Sequence, residues 1–210
     1  MIECVNYETA HLFGDAIPAQ FRLRHRIFVE RQHWNLSTVR GMEYDQYDTP
    51  ATQYLIWRDV DGEARGVARL NPTDRPYMFQ EIFADQFGVG DVPCTPQIWE
   101  GTRFGVDRGM DGASRNRIIA ELLAACLEFG LSEGIKQYLV LMPLVVLKRS
   151  FPNLGCTVKI IGAEKRMGLD RVAPAMCDVS PEILANVRNK SGIRHSVLRT
   201  AHDLQMGQAA

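Results

Sequence analysis

Arg24, Asp45, Asp48, Arg69, Glu100 and Arg103 are the charged residues whose positions suggest more than solvation. Arg24 recurs at helical spacing with Ile17, Phe21 and Phe28, so its helix turns a guanidinium toward the packed side. A guanidinium there needs a carboxylate, because an unpaired buried charge is too costly. Asp45 and Asp48 lie three apart in the polar stretch that follows, and Arg69 can reach the same place from a later strand. Two arginines and two aspartates would balance. On a solvated face the same residues would be ordinary surface ions, and the helix-face placement of Arg24 is the argument for the buried alternative.

Glu100 and Arg103 fall in Trp99-Glu100-Gly101-Thr102-Arg103-Phe104, on a strand of mostly apolar residues. By the two-residue period, Glu100 and Phe104 point one way and Trp99 and Arg103 the other, unless a bulge at Gly101 changes the phase. A carboxylate in such a strand can be a proton acceptor with a raised pKa, or half of an ordinary ion pair.

The elements that must hold these residues follow from periodicity. Residues 15–31 read as an amphipathic helix, with Pro18 in or near its first turn. Residues 33–50 are polar and aromatic-studded without a period, and read as a long functional loop carrying Trp34, Glu43, Tyr44, Asp45 and Asp48. Residues 53–58 and 64–70 are β-prone runs joined by Val60-Asp61-Gly62-Glu63, an antiparallel pair. Residues 98–106 form another strand. The clearest element is a helix from Ser114, with Ile118, Leu122, Cys126 and Leu131 on one stripe, Ser114 as its cap and Gly134 at its end. A buried strand over 138–142, a short helix over 143–151, a strand over 157–161 and a helix opened by Ser180-Pro181-Glu182 follow. This order predicts an α/β fold, a three-layer α-β-α sandwich with a mixed, largely antiparallel sheet. A single domain is expected over 1–201, with a disordered tail over 202–210.

The chain has 210 residues, 46% of them hydrophobic, enough for a core without disulfides or a structural metal. Twenty-four basic against twenty-five acidic residues leave a formal charge of -1 and no basic field for nucleic acid. Five scattered cysteines, odd in number and without a C-x-x-C pair, fit a reduced cytoplasmic compartment. Five histidines in no ligand spacing argue against a metal site. The longest apolar run, residues 139–147, is broken by Pro143 and too short to span a bilayer, so no stable membrane insertion is expected.

Arg24, Phe28, Trp34, Asp45, Asp48, Arg69, Glu100 and Arg103 resemble, in identity, order and approximate spacing, the residues that mark the LuxI-type acyl-homoserine-lactone (autoinducer) synthases. The surrounding segments agree: Phe-Arg-Leu-Arg-His-Arg-Ile-Phe-Val-Glu-Arg, Met-Glu-Tyr-Asp-Gln-Tyr-Asp, Arg-Leu and Ile-Trp-Glu-Gly-Thr-Arg-Phe. The resemblance covers about residues 20 to 150 and implies a fold similar to the GCN5-related N-acetyltransferases, with one synthase domain. One departure stands out. Arg108-Gly109-Met110-Asp111-Gly112-Ala113 does not reproduce the acetyltransferase pyrophosphate loop, although Arg115 and Arg117 flank the start of the long helix.

The implied reaction acylates the amine of S-adenosylmethionine from an acyl thioester on acyl-carrier protein or CoA. The product then closes to a quorum-sensing lactone and methylthioadenosine is released. S-adenosylmethionine is a substrate, and neither cofactor nor metal is implied. Glu100 is the first choice of proton acceptor, with Arg24, Asp45, Asp48, Arg69 and Arg103 completing the catalytic set. Phe28, Trp34 and Met42 would pack around the adenosyl group, unless Phe28 is simply core. Thr102, Phe104, Met142 and Val145 are the further substrate-facing positions, and Met142, unable to donate a hydrogen bond, argues for an acyl group unsubstituted at its third carbon. Lys148, Arg149, Lys165 and Arg166 lie in a stretch with an excess of basic residues that could dock an acidic carrier or be a solvated face. The alternatives are a GCN5-like N-acyltransferase acting on another amine and a catalytically dead binding relative.

Overall fold

A computed structural model describes residues 1–208. In chain order the elements are β1 (Ile2–Val5), α1 (Ala16–Arg24) continuing as a wider helical turn over His25–Arg31, β2 (Thr38–Val39), β3 (Met42–Glu43), β4 (Gln53–Arg58) and β5 (Ala64–Pro72). A helical turn over Phe79–Phe83 leads into α2 (Ala84–Phe87), then β6 (Ile98–Val106), α3 (Gly112–Ser132) and β7 (Gln137–Pro143). Another helical turn, Val146–Ser150, opens α4 (Phe151–Leu154), followed by β8 (Val158–Ile160), β9 (Lys165–Met167), β10 (Asp170–Asp178), α5 (Pro181–Ser191), β11 (Leu198–Arg199) and α6 (Ala201–Gln208).

The chain packs as two compact units. Met1–Arg69, Arg103–Cys126 and the chain from His195 make the first; Leu70–Thr102 and Leu127–Arg194 make the second. Strand order is β11-β1-β4-β5 in the first and β6-β7-β10-β8 in the second, with β9 on β10. β1 runs antiparallel to β4 and parallel to β11. β6 runs parallel to β7, while β10 is antiparallel to β7, β8 and β9. The predicted mixed, largely antiparallel α/β fold is therefore present.

The first unit closes over Val5, Phe13, Leu23, Ile27, Tyr54, Ile56 and Val67, with Ala201 and Leu204 of α6 packed against them. That packing gives the tail order where none is expected, as a helix over Ala201–Gln208; the rest of the predicted tail, residues 209–210, lies outside the described residues. The second unit gathers Tyr77, Phe79, Phe87, Leu139, Val172 and Met176.

Local chemistry sets three boundaries that matter for the site. Residues 33–50 are not a plain loop: Arg40 (φ 52) and Gly41 (φ 72) form a two-residue turn with both residues left-handed, pairing Val39 with Met42 and Thr38 with Glu43. At the start of α3 the cap is Asp111 rather than Ser114, whose backbone N–H donates to Asp111 Oδ1 at 3.0 Å. Arg115 turns back to the Met110 carbonyl at 2.7 Å and Arg117 pairs with Glu121 at 2.7 Å, so both arginines at that end are engaged within the chain. Gly134 (φ 72) follows α3, as its sequence position predicts. Among the described residues no helix is long and apolar enough to cross a membrane.

Candidate active site

Arg24 is fully buried in the first unit. Its Nε donates to Glu43 Oε2 at 2.6 Å, and its two terminal nitrogens donate to Asp48 Oδ1 and Oδ2 at 2.7 and 2.9 Å. Arg69, equally buried, donates to Asp45 Oδ1 at 2.6 Å and lies 3.1 Å from Asp48 Oδ1. Arg103 Nη2 donates to Glu43 Oε1 at 2.9 Å and to Asp45 Oδ2 at 2.8 Å. Tyr54 Oη donates to Asp48 Oδ1 at 2.8 Å, and the backbone N–H of Asp45 to Asp48 Oδ2 at 2.8 Å. The expected set of two arginines and two aspartates is thus a cluster of three and three, joined by Arg103 and Glu43. Glu43 was not a predicted site residue. Its only sequence signal is Arg-Gly before Met-Glu, a short turn rather than a catalytic pattern.

The cluster keeps its acids ionised. Burial works to raise the Glu43 carboxyl, but hydrogen bonds and charge from Arg103 and Arg24 outweigh it and hold the group at about 2. Burial likewise opposes ionisation of Asp48, and the Arg24 hydrogen bonds with the Arg69 and Arg24 charges hold it below the ordinary range. Two depressed carboxyls mean that the unfolded chain binds more protons in acid, so stability rises with pH there. Their contribution is complete above the ordinary value of 4.5 for Glu43 and is lost as pH falls toward 2. Urea titrations between pH 6 and pH 2.5 should therefore show a loss of several kcal/mol concentrated below pH 4.5, roughly 3 kcal/mol of it from Glu43. Glu43→Gln should flatten that acid limb.

Arg103 has φ 51, a left-handed backbone within a strand, so β6 leaves its extended pleat two residues beyond the glycine where the sequence allows a bulge. The guanidinium lies 5.5 Å from the Phe28 ring centroid, and Trp34 stacks on Phe28 with centroids 5.2 Å apart. Met42 and Trp34 are half-buried against the same core. The Trp34 indole nitrogen is buried and has no hydrogen-bond partner among the described residues. Asp45 has the most exposed side chain among the three carboxylates, 16% against 1% for Glu43 and 2% for Asp48.

Glu100 belongs to the second unit and is 2% exposed. Its Oε1 accepts the Phe79 backbone N–H at 2.6 Å and its Oε2 the Met78 N–H at 3.3 Å, while neighbouring Trp99 packs edge-on against Phe129. Met142 is buried and Thr102 half-buried in the same unit, Phe104 is half-buried in the first, and Val145 is 56% exposed. Of the basic residues assigned to carrier docking, Lys148 pairs with Glu164 at 2.6 Å and Lys165 lies over the Phe87 ring, while Arg149 and Arg166 are exposed. Arg171 takes the other oxygen of Glu164 at 2.9 Å. Among the described residues no group of three or more His, Cys, Asp or Glu side chains could hold a metal ion.

A sequence model of the autoinducer synthases matches residues 10–187. The isovaleryl-homoserine lactone synthase of Bradyrhizobium diazoefficiens is 34% identical over 205 residues, covering 97% of this chain and 84% of that protein. The solved structure of BjaI, a CoA-dependent acyl-homoserine lactone synthase with SAM and isopentyl-CoA, superposes with a TM-score of 0.84 at 30% identity, covering 98% of this chain and 99% of that one. A Lactobacillus plantarum protein described as an N-acetyltransferase, 15% identical with a TM-score of 0.55 over 85% of this chain and 99% of its own, is alike in fold alone. With its ion cluster assembled and most of its length matched, the chain belongs to the autoinducer synthase family of acyl-homoserine-lactone synthases.

Proposed function

We propose that this protein acylates the amine of S-adenosylmethionine from an acyl thioester and closes the product to an N-acyl-homoserine lactone, releasing methylthioadenosine. The observation that carries the reading is the buried six-charge cluster, whose outermost carboxylate, Asp45, shares Arg103 with the Phe28 ring on which Trp34 stacks. The aromatic faces suit a purine and a sulfonium, and the unpartnered Trp34 N–H is available to an acceptor on the substrate. Met42 and Phe104 are read as further substrate-facing positions of the first unit.

The methionine amine must first lose a proton to Glu100, directly or through water, before attacking the thioester carbonyl. Backbone N–H groups steady the tetrahedral oxyanion, and the thiol leaves as the amide forms. In the second step a carboxylate oxygen of the methionine moiety displaces the sulfonium from the carbon that bears it, and methylthioadenosine departs as a neutral thioether. Orientation dominates that step, and the sulfonium is its own leaving group, so S-adenosylmethionine is consumed without a cofactor. The five scattered cysteines accord with a cytoplasmic setting.

The donor is read as acyl-CoA. BjaI is CoA-dependent, and the Glu164 pairs draw Lys148 and Arg171 out of the basic stretch that a carrier protein would need, leaving Arg149 and Arg166 as weak docking residues. The acyl group is read as short or branched and unsubstituted at its third carbon, the reading resting on Met142, which is buried and whose side chain has no hydrogen to donate. A buried 3-oxo group facing a thioether loses water contacts without replacement, at about 1 to 3 kcal/mol. Matched 3-oxo and unsubstituted acyl-CoAs in direct competition should therefore partition at least fivefold toward the unsubstituted donor, and Met142→Thr should narrow the gap. Preference for the 3-oxo donor would remove Met142 from the argument. The activity itself is tested by mass spectrometry of purified protein with S-adenosylmethionine and a panel of acyl-CoAs. A species fragmenting to the homoserine lactone ion, formed one for one with methylthioadenosine, is the expected result. Its absence across the panel, on CoA and carrier alike, would overturn the reading.

A further inference from the structure

Glu43 is the carboxylate of the cluster carried by the small β2–β3 hairpin, and it is fully buried. It binds arginines from two different elements: Arg24 of α1 at 2.6 Å, and Arg103 of β6 through Nη2 at 2.9 Å and Nε at 3.1 Å. Arg103 holds a left-handed backbone inside a strand, which costs a non-glycine residue free energy and persists only where the surroundings enforce it. The same Nη2 that meets Glu43 also reaches Asp45 at 2.8 Å, so the lie of the Arg103 fork, and with it the second oxygen of Asp45, is tied to Glu43. Charge is tied as well. With Glu43 ionised the three arginines face three carboxylates; without it they face two.

We propose that Glu43 is a positioning residue for the acyl transfer: it holds Arg103 in its left-handed turn and supplies the negative charge that lets the cluster accept a cationic substrate. This rests on the reading of S-adenosylmethionine as that substrate. S-adenosylmethionine carries a sulfonium and an ammonium against one carboxylate, whereas methylthioadenosine is neutral. A cluster short of one negative charge discriminates against the first and not the second.

The test is calorimetric titration of S-adenosylmethionine and of methylthioadenosine, without acyl donor, into the wild type, Glu43→Gln, Glu43→Asp and the double variant Glu43→Gln with Arg103→Gln. Glu43→Gln should weaken S-adenosylmethionine relative to methylthioadenosine by about tenfold. Glu43→Asp keeps the charge and should hold the ratio of the two Kd values near that of the wild type, while its shorter reach lowers kcat. The double variant restores two arginines against two carboxylates, so it should recover the ratio but not the turnover, and it serves if Glu43→Gln alone does not fold. Parallel weakening of both ligands in every variant, or an unchanged ratio in Glu43→Gln, would overturn the proposal and leave Glu43 a structural ion. A double variant that keeps the skewed ratio would overturn it equally. A wild type that binds neither ligand would instead sink the substrate assignment.

Discussion

Arg24→Ala is expected to lower the melting temperature by about 10 °C, the largest stability effect of any single substitution in the cluster. Arg24 is fully buried, and its removal takes three charged donors, at 2.6 to 2.9 Å, from Glu43 Oε2 and both oxygens of Asp48, leaving Asp48 the neutral Tyr54 and Asp45 backbone donors. Three carboxylates would then share Arg69 and Arg103, leaving one buried negative charge unbalanced. Stranding a buried charge costs roughly 3 to 5 kcal/mol, and a chain of this size loses about 2 to 4 °C per kcal/mol. The sign with pH is distinctive. Unpaired buried carboxyls have raised pKa values, so the deficit of the variant should shrink as pH falls toward 5 and the extra charge takes up a proton. Arg24→Lys keeps the charge, but an ammonium cannot satisfy Glu43 and both Asp48 oxygens as the planar fork does, so it should fall between the two. Thermal unfolding at pH 8 and pH 5 measures both effects. An Arg24→Ala protein that melts with the wild type would show that this cluster does not hold the first unit together.

What the sequence discloses and what it hides divide along physical lines. β6 lies where its apolar run places it, and α3 announces itself through Ile118, Leu122 and Cys126, because each buries one face and so writes a period into the chain. Arg24 is readable for the same reason: a charge on the inward stripe has few ways to exist except paired. Glu43 leaves no such trace. Its position depends on the left-handed Arg40-Gly41 turn, and a strand pair of two residues each is too short to show alternation. β10 is hidden differently. Val172, Ala173, Ala175, Met176 and Cys177 are all buried, so the strand has no polar face, and Pro174 in its middle argues against a strand at all. The helical segment from Phe79 to Phe87 leaves no local signal either, since its start is tied to Glu100, a residue more than twenty positions later, rather than to a local cap.

Glu100→Gln should cost at least a hundredfold in turnover while S-adenosylmethionine still binds. The glutamate is 2% exposed and its oxygens accept two backbone N–H groups, at 2.6 Å from Phe79 and 3.3 Å from Met78. A carboxylate oxygen can accept more than one hydrogen bond, so anchoring these amides is compatible with taking a proton from the substrate amine or from a water it activates. Glutamine preserves shape and one carbonyl, but it removes the acceptor and sets an NH2 group against one of the backbone donors. Two consequences must be separated. Loss of the base appears in kcat. Loss of the backbone anchor appears as faster hydrogen exchange at the Met78 and Phe79 amides and a fall in stability of about 1 to 2 kcal/mol. The expected variant shows both: a greatly reduced rate, and modest local loosening. If turnover stays within a few-fold of the wild type while the two amides exchange faster, Glu100 is an anchor for the Phe79–Phe83 turn and the proton goes to Asp45 or to bound water.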